Sequence, residues 1–189
     1  MSYFANAGII LVGFAFGIAI GLIMLRVLLQ LVRANFHNPI CQFLYKATNP
    51  VLMPLRKLIP GWRRLDVAGV LLAYMLFVVE HAVISALLGR LPALPGLLVG
   101  ALANLIGWLL VLIGVLIFVR AILSFVGSDS RHPVVPLLIQ LTEPVLAPIR
   151  RRLPNLGGLD FSPMLAILAI LLLRALVVQP IADLGARLS

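Results

Sequence analysis

The sequence predicts an all-α polytopic membrane protein of about four transmembrane helices, arranged as two tandem, parallel two-helix repeats. Each repeat carries a Pro-rich amphipathic or re-entrant segment on its cytoplasmic side. Three observations carry this expectation. Hydrophobic residues make up 62% of the 189 and charged residues only 11%, against roughly 25% charged in soluble domains, so little polar material remains to cover a water-facing surface. Four stretches are long and apolar enough to cross a hydrocarbon core, which takes about 20 residues. A proline-dense basic stretch also occurs twice, at an offset of 94 residues.

The first span is expected at about 8–32. Met1 to Leu25 carries no charge. It lacks the basic start of a signal peptide, and its apolar stretch exceeds the usual 7–15 residues, so it reads as a helix that stays. Gly13, Gly17 and Gly21 line one face and favour close helix packing. The stretch 33–65 is punctuated by Pro39, Pro50, Pro54, Pro60 and Gly61, and holds Arg33, Lys46, Arg56, Lys57, Arg63 and Arg64. Its apolar residues recur at helical spacing, and Asn49-Pro50 reads as an N-cap followed by proline at the first helical position. Two short amphipathic helices are expected here, lying at the membrane surface or dipping in as a re-entrant hairpin.

The second span, 67–88, is interrupted by Glu80 and His81. A tight turn (GRLPALP) leads to a third span at about 96–126, uncharged through Val119. The stretch 128–159 repeats the Pro-rich basic character. A fourth span, 161–181, carries Arg174, and 182–189 reads as a short tail. The repeats divide the chain into 1–95 and 96–189.

The duplication is explicit. Asn38–Asp66 aligns without a gap on His132–Asp160. Pro39, Thr48, Pro50, Pro54, Arg56, Pro60 and Asp66 fall on Pro133, Thr142, Pro144, Pro148, Arg150, Pro154 and Asp160, and Arg26 falls on Arg120. Agreement of this kind in one register marks an internal repeat. Two spans per unit is an even number, so both copies insert the same way. The repeated stretches with Arg26 and Arg120 hold 12 of the 15 basic residues. Positive-inside then puts them in the cytoplasm and both termini outside.

The pattern N/H-P…T-x-P-V-L-x-P-(L/I)-R-(K/R)…P…L-D followed by an apolar span resembles the YggT repeat, twice, over nearly the whole chain. The second copy (TEPVLAPIRRRLPNLGGLDFSP) matches more fully. The first departs at Gly61-Trp62-Arg63-Arg64, where the second has Gly157-Gly158, and at Ala68-Gly69 in place of Ser162-Pro163. The resemblance implies a bacterial inner-membrane protein. Members are linked to osmotic-stress tolerance. YlmG-related proteins lie near division and shape genes, and plastid relatives assist cofactor assembly into a membrane cytochrome complex. No catalytic residues come with the family.

The residues themselves suggest structural roles first. Arg26 and Arg120 sit about two turns inside their spans, where an unpaired charge costs about 2.5–3.5 kcal/mol at the centre. Snorkelling to the headgroups would relieve this. The alternative, taken here as the expectation, is pairing with Asp66 and Asp160, which open the returning helices. Glu80 and Arg174 occupy equivalent positions with opposite charge. An intramembrane pair is expected, as a structural lock or as part of a gate. Arg56-Lys57 and Arg150-Arg151-Arg152 are expected to meet anionic lipid headgroups or a protein partner.

Cys41 is the only cysteine and reads as a small apolar residue. The three histidines lack metal-ligand spacing, and no nucleophile, phosphate-loop or dinucleotide motif occurs. Neither cofactor, metal nor nucleic-acid binding is expected, despite a net charge of +9. The expected function is a non-enzymatic inner-membrane scaffold or assembly factor of the cell envelope, in osmotic-stress or division-related processes. Its partners are the anionic bilayer, another membrane protein or further copies of the chain. The alternative is a small ion channel or transporter component.

Overall fold

The computed structural model describes residues 3–59, 61, 65–90, 92–126, 132–153 and 160–189. The repeat positions Pro60, Trp62, Arg63, Arg64, Pro154, Gly157 and Gly158 lie outside them. The described helices are α1 (Tyr3–Leu31), α2 (Pro39–Leu58), α3 (Val67–Leu87), α4 (Leu94–Val126), α5 (Val134–Arg150), α6 (Ser162–Leu173) and α7 (Gln179–Arg187). A π-helical turn, Arg174–Val178, joins α6 to α7. Four segments are long and apolar enough to span a membrane: Tyr3–Leu31, Val67–Leu87, Leu94–Ser124 and Ser162–Arg187. Ile10, Leu11, Phe14, Phe118 and Leu176 all stand exposed on these segments, which is tolerable only where lipid is the solvent.

Two antiparallel hairpins form the bundle. In the first, Gly8 faces Leu87, Gly13 faces Glu80 and Gly69 faces Val27. In the second, Gly185 faces Gly100, Gly107 faces Val178 and Gly114 faces Ile170. A short turn, with Gly89 at φ +69°, leads from α3 to α4. These two helices also pack together, and Tyr74 Oη donates to the Leu98 carbonyl at 3.1 Å. The main core cluster joins Ile20, Ile23, Met24 and Val27 of α1 to Ala73 and Phe77 of α3 and Ala101 and Leu105 of α4.

The first Pro-rich stretch forms one helix, where two short ones were expected. Its N-cap is Asn38, whose side chain accepts the Ile40 N–H at 2.9 Å, and Pro39 takes the first helical position. Asn49-Pro50 obeys the same local rule but lies inside the helix, as does Pro54. The two prolines remove the donors for the carbonyls of residues 46 and 50. Both of these residues are exposed, so the freed carbonyls face outward, while Cys41, Leu44, Thr48 and Leu52 form the buried face. Burial of that stripe outweighs the two lost backbone bonds. α5 repeats the arrangement, with Pro144 and Pro148 inside and Leu138, Leu141, Thr142 and Leu146 buried.

These helices lie across the ends of the hairpins. Arg33 adopts a left-handed φ of 55° and Ala34 N–H closes on Leu29 O at 2.9 Å, turning the chain sideways out of α1. Thr48 and Arg56, about 12 Å apart along α2, bond to Arg26 and Gln30, only about 6 Å apart along α1. A helix running back into the bundle would spread such contacts over equal lengths. α2 and α5 meet at their starts, where Asn38 Nδ2 donates to Pro133 O at 2.6 Å. Leu29, Cys41 and Leu44 pack there against Leu137 and Leu141.

The expected tail, 182–189, is instead helical and packed. α7 carries the fourth span on to Arg187, and Gly185 lies directly against the backbone of α4 at Gly100. The π turn has a local cause. Pro180 would collide with the carbonyl four residues back, and the Gln179 N–H closes on Arg174 O instead. The equivalent residue of the first repeat is Ala86, inside a regular α3.

Candidate functional site

Each repeat holds a polar clasp where its amphipathic helix crosses its hairpin. In the first, Arg26 is 5% exposed on α1 and reaches under α2. Its Nη1 donates to Thr48 Oγ1 at 2.5 Å, and the Thr48 hydroxyl in turn donates to the Leu44 carbonyl at 2.6 Å. Its Nη2 donates to Asn49 Oδ1 at 3.3 Å, and its guanidinium carbon lies 4.6 Å from the centroid of the Tyr45 ring. Arg56 donates to Gln30 Oε1 at 2.8 Å and pairs with Asp66 through both Nε and Nη2. Asp66, 1% exposed, also caps α3 by accepting the Gly69 N–H at 3.2 Å. One arginine network thus ties α1, α2 and α3 together.

The second clasp reuses the parts. Arg120 Nη1 donates to Thr142 Oγ1 at 2.7 Å, and Thr142 donates to Leu138 O at 2.6 Å. Arg150 Nη2 pairs with Asp160 Oδ2 at 2.8 Å, and Asp160 accepts the Ser162 N–H at 2.9 Å. The difference lies at Glu143, the counterpart of Asn49. Its carboxylate bridges Arg120 at 2.8 Å and Arg150 at 3.1 Å. Two arginines meet two carboxylates here, whereas the first clasp sets two arginines against one.

The expected Arg26–Asp66 and Arg120–Asp160 pairs therefore do not form. The amphipathic helix lies between the partners, so its threonine takes the in-span arginine and its own arginine takes the aspartate. The expected Glu80–Arg174 contact does not form either. α4 packs on α3 from one side and on α6, the π turn and α7 from another, which separates the two residues. Glu80 faces Gly13 of α1, and Arg174 is exposed. Of the residues expected to meet lipid or a partner, Arg56 and Arg150 are held in these internal pairs. Lys57, Arg151 and Arg152 are exposed and free to do so.

Sequence reasoning missed Glu143, Gln30 and Tyr45, and gave Thr48 and Thr142 no role. The signal for the threonines was present, since a hydroxyl recurs at the same place on both otherwise greasy stripes. Asn104, halfway along a span that looked uncharged, was also missed. His81 Nδ1 lies 3.0 Å from Phe77 O, a position that requires the Nδ1–H tautomer. His81 Nε2 is then left to accept from Asn104 Nδ2 at 3.4 Å.

The second clasp is expected to weaken in acid. The Arg120 hydrogen bond holds the Glu143 carboxyl below its usual range, aided by Arg150. Partial burial pushes Asp160 up, but bonds from Ser162 and Arg150 outweigh it and leave the group low. Depressed carboxylates stabilise the fold above their unfolded values, roughly pH 3.9 and 4.3, and that contribution is lost as pH falls through the lower folded values. We expect backbone amides of α5 to exchange faster with deuterium at pH 3 than the pH-corrected rate at pH 7 predicts. Unchanged protection of α5 would contradict the assignment.

The comparisons with known proteins agree with this architecture. The CCB3/YggT family model matches twice, over residues 5–87 and 99–181. An uncharacterised protein of Pseudomonas aeruginosa is 39% identical over 163 residues, covering 85% of this chain and 83% of its own. The protein named YggT of Escherichia coli K12 is 38% identical over 163 residues, covering 86% and 85%. A Vibrio alginolyticus protein encoded in the proC 3′ region is 39% identical over 167 residues, covering 87% and 90%. No solved structure matches. With both matched copies each containing one hairpin and its clasped amphipathic helix, the chain belongs to the CCB3/YggT family.

Proposed function

We propose that this is a non-enzymatic scaffold or assembly factor of the bacterial inner membrane, serving the cell envelope in osmotic-stress tolerance or division-related processes. One observation carries the reading: each amphipathic helix is held across the end of a spanning hairpin by a pair of arginines. Its outer face stays open, with Phe43, Val51 and Met53 exposed beside Lys46 and Lys57 on α2. A rigidly held face that is both basic and apolar suits the headgroup layer of an anionic bilayer, or a membrane partner seated at that level. Positive-inside supports a cytoplasmic position for this face, with both termini periplasmic.

A second reading is a channel or transporter component, and the polar groups within the spans favour it. Glu80, His81 and Asn104 lie along α3 and α4, and Arg174 stands on the outer surface of the fourth span. A path would then run between copies of the chain.

Reconstitution into liposomes separates the two. The scaffold reading expects no ion flux above protein-free vesicles under an osmotic step, and a specific membrane complex recovered on gentle purification. Flux abolished by Glu80→Gln or Arg174→Gln would overturn it in favour of the channel. A periplasmic signal from a reporter placed after Arg152 would overturn the topology.

A further inference from the structure

The duplicated clasp contains an internal comparison. In the second repeat, two guanidinium groups share one carboxylate, with Glu143 Oε2 on Arg120 and Oε1 on Arg150. In the first repeat the counterpart of Glu143 is a neutral Asn49, whose only bond to Arg26 is a long 3.3 Å. Arg56 turns to Gln30 and Asp66, which leaves Arg26 buried with no carboxylate of the described residues in contact, Asp66 acting on it only from a distance. A buried cation without an anion is costly unless something compensates it. The Tyr45 ring face and the Thr48 hydroxyl do so only in part, since neither carries charge.

Space remains beside the buried cation. Arg26, Gln30 and Arg56 line a cavity of about 50 Å³ that opens beside Tyr45, with Leu29 and Leu44 behind it. The volume exceeds what one water requires, and guanidinium groups from two helices line it. Beyond Tyr45 runs a groove bounded by Lys46 and Lys57, with Pro50, Met53 and Pro54 along its floor. That groove encloses about 510 Å³, and both lysines favour an anion there.

We propose that the first clasp is an oxyanion site that binds a phosphate group between Arg26 and Arg56, supplying the negative charge that Glu143 supplies in the second. The phosphate comes from an anionic phospholipid headgroup or from free inorganic phosphate. Planar guanidinium forks match phosphate oxygens as they match a carboxylate. The first repeat is then completed by its surroundings, while the second is self-sufficient. The inference does not depend on whether the protein acts as a scaffold or a channel.

The test uses the full chain in a neutral detergent, read as apparent Tm. Sodium phosphate is compared with sodium chloride at equal ionic strength, and phosphatidylglycerol with phosphatidylcholine at equal mole fraction. We expect phosphate or phosphatidylglycerol to raise Tm by about 5 °C near saturation. A rise with phosphatidylglycerol alone identifies the lipid as the source, and a rise with inorganic phosphate alone identifies the free ion. Asn49→Glu supplies the carboxylate within the chain and should abolish the rise. Glu143→Asn opens the second clasp and should enlarge it, which keeps the test decisive where Asn49→Glu fails to fold. The proposal is overturned if neither phosphate source exceeds its control. It is equally overturned if Asn49→Glu responds as the wild type does, or if Glu143→Asn responds no more than the wild type.

Discussion

Asp66→Ala is expected to destabilise the protein far more than Asp160→Ala, although the two aspartates are equivalent in the repeat. The Asp66 side chain is 2% exposed and its partner Arg56 30%, whereas Asp160 and Arg150 are 43% and 41% exposed. Removing one member of a buried pair strands the other charge and costs about 3–5 kcal/mol. Loss of the Gly69 cap adds about 1 kcal/mol. The exposed pair is screened by solvent and contributes about 0–1 kcal/mol. Melting in detergent should therefore show a large drop for Asp66→Ala and a small one for Asp160→Ala. Asp66→Asn should fall between, because an amide oxygen still accepts the Gly69 N–H. The double variant Arg56→Met with Asp66→Ala should recover part of the loss, since the stranded charge goes with the arginine. Equal drops for the two aspartates would show that burial does not distinguish the clasps.

The same contrast explains how far the sequence carried. Composition and the repeat were sufficient for four spans and for amphipathic Pro-rich segments set at one end of the bundle, because solvent preference acts on whole segments. They also set Arg26 toward Asp66 at the hairpin end, but turned Arg56 outward to lipid or a partner. They did not select partners. That choice depends on which helix passes between two ends, and no spacing along a single helix encodes a crossing. Asn49-Pro50 failed for a related reason. It satisfies the local rule for a helix start as well as Asn38-Pro39 does, and only the continuous buried stripe through Cys41, Leu44, Thr48 and Leu52 decides between them. The Glu80–Arg174 expectation treated equivalence in the repeat as proximity. Equivalent positions meet only near the axis relating the repeats, and α4 occupies the space between these two.

Gly185 is the position where a single added carbon should matter most. Hydropathy assigned 182–189 to a tail because Asp183 and Arg187 interrupt its apolar run, but α7 packs on α4 through glycines that carry no hydropathy signal. A Cβ on Gly185 would stand 2.9 Å from the Gly100 nitrogen and 3.2 Å from its Cα. Backbone cannot swing away as a flexible side chain can, so the helices must separate. Gly185→Ala should cost about 1–3 kcal/mol through overpacking, and Gly185→Val at least as much. Lipid offers no hydrophobic drive to hold the helices together once close packing is lost, since its tails are as apolar as the protein. Gly17→Ala is the control. It belongs to the small-residue row expected to pack, yet a Cβ there meets nothing within 4 Å. Its Tm should stay near wild type, or rise slightly because alanine is the better helix former. If Gly185→Ala melts with Gly17→Ala, α7 does not rest on α4, and the fourth span ends before it.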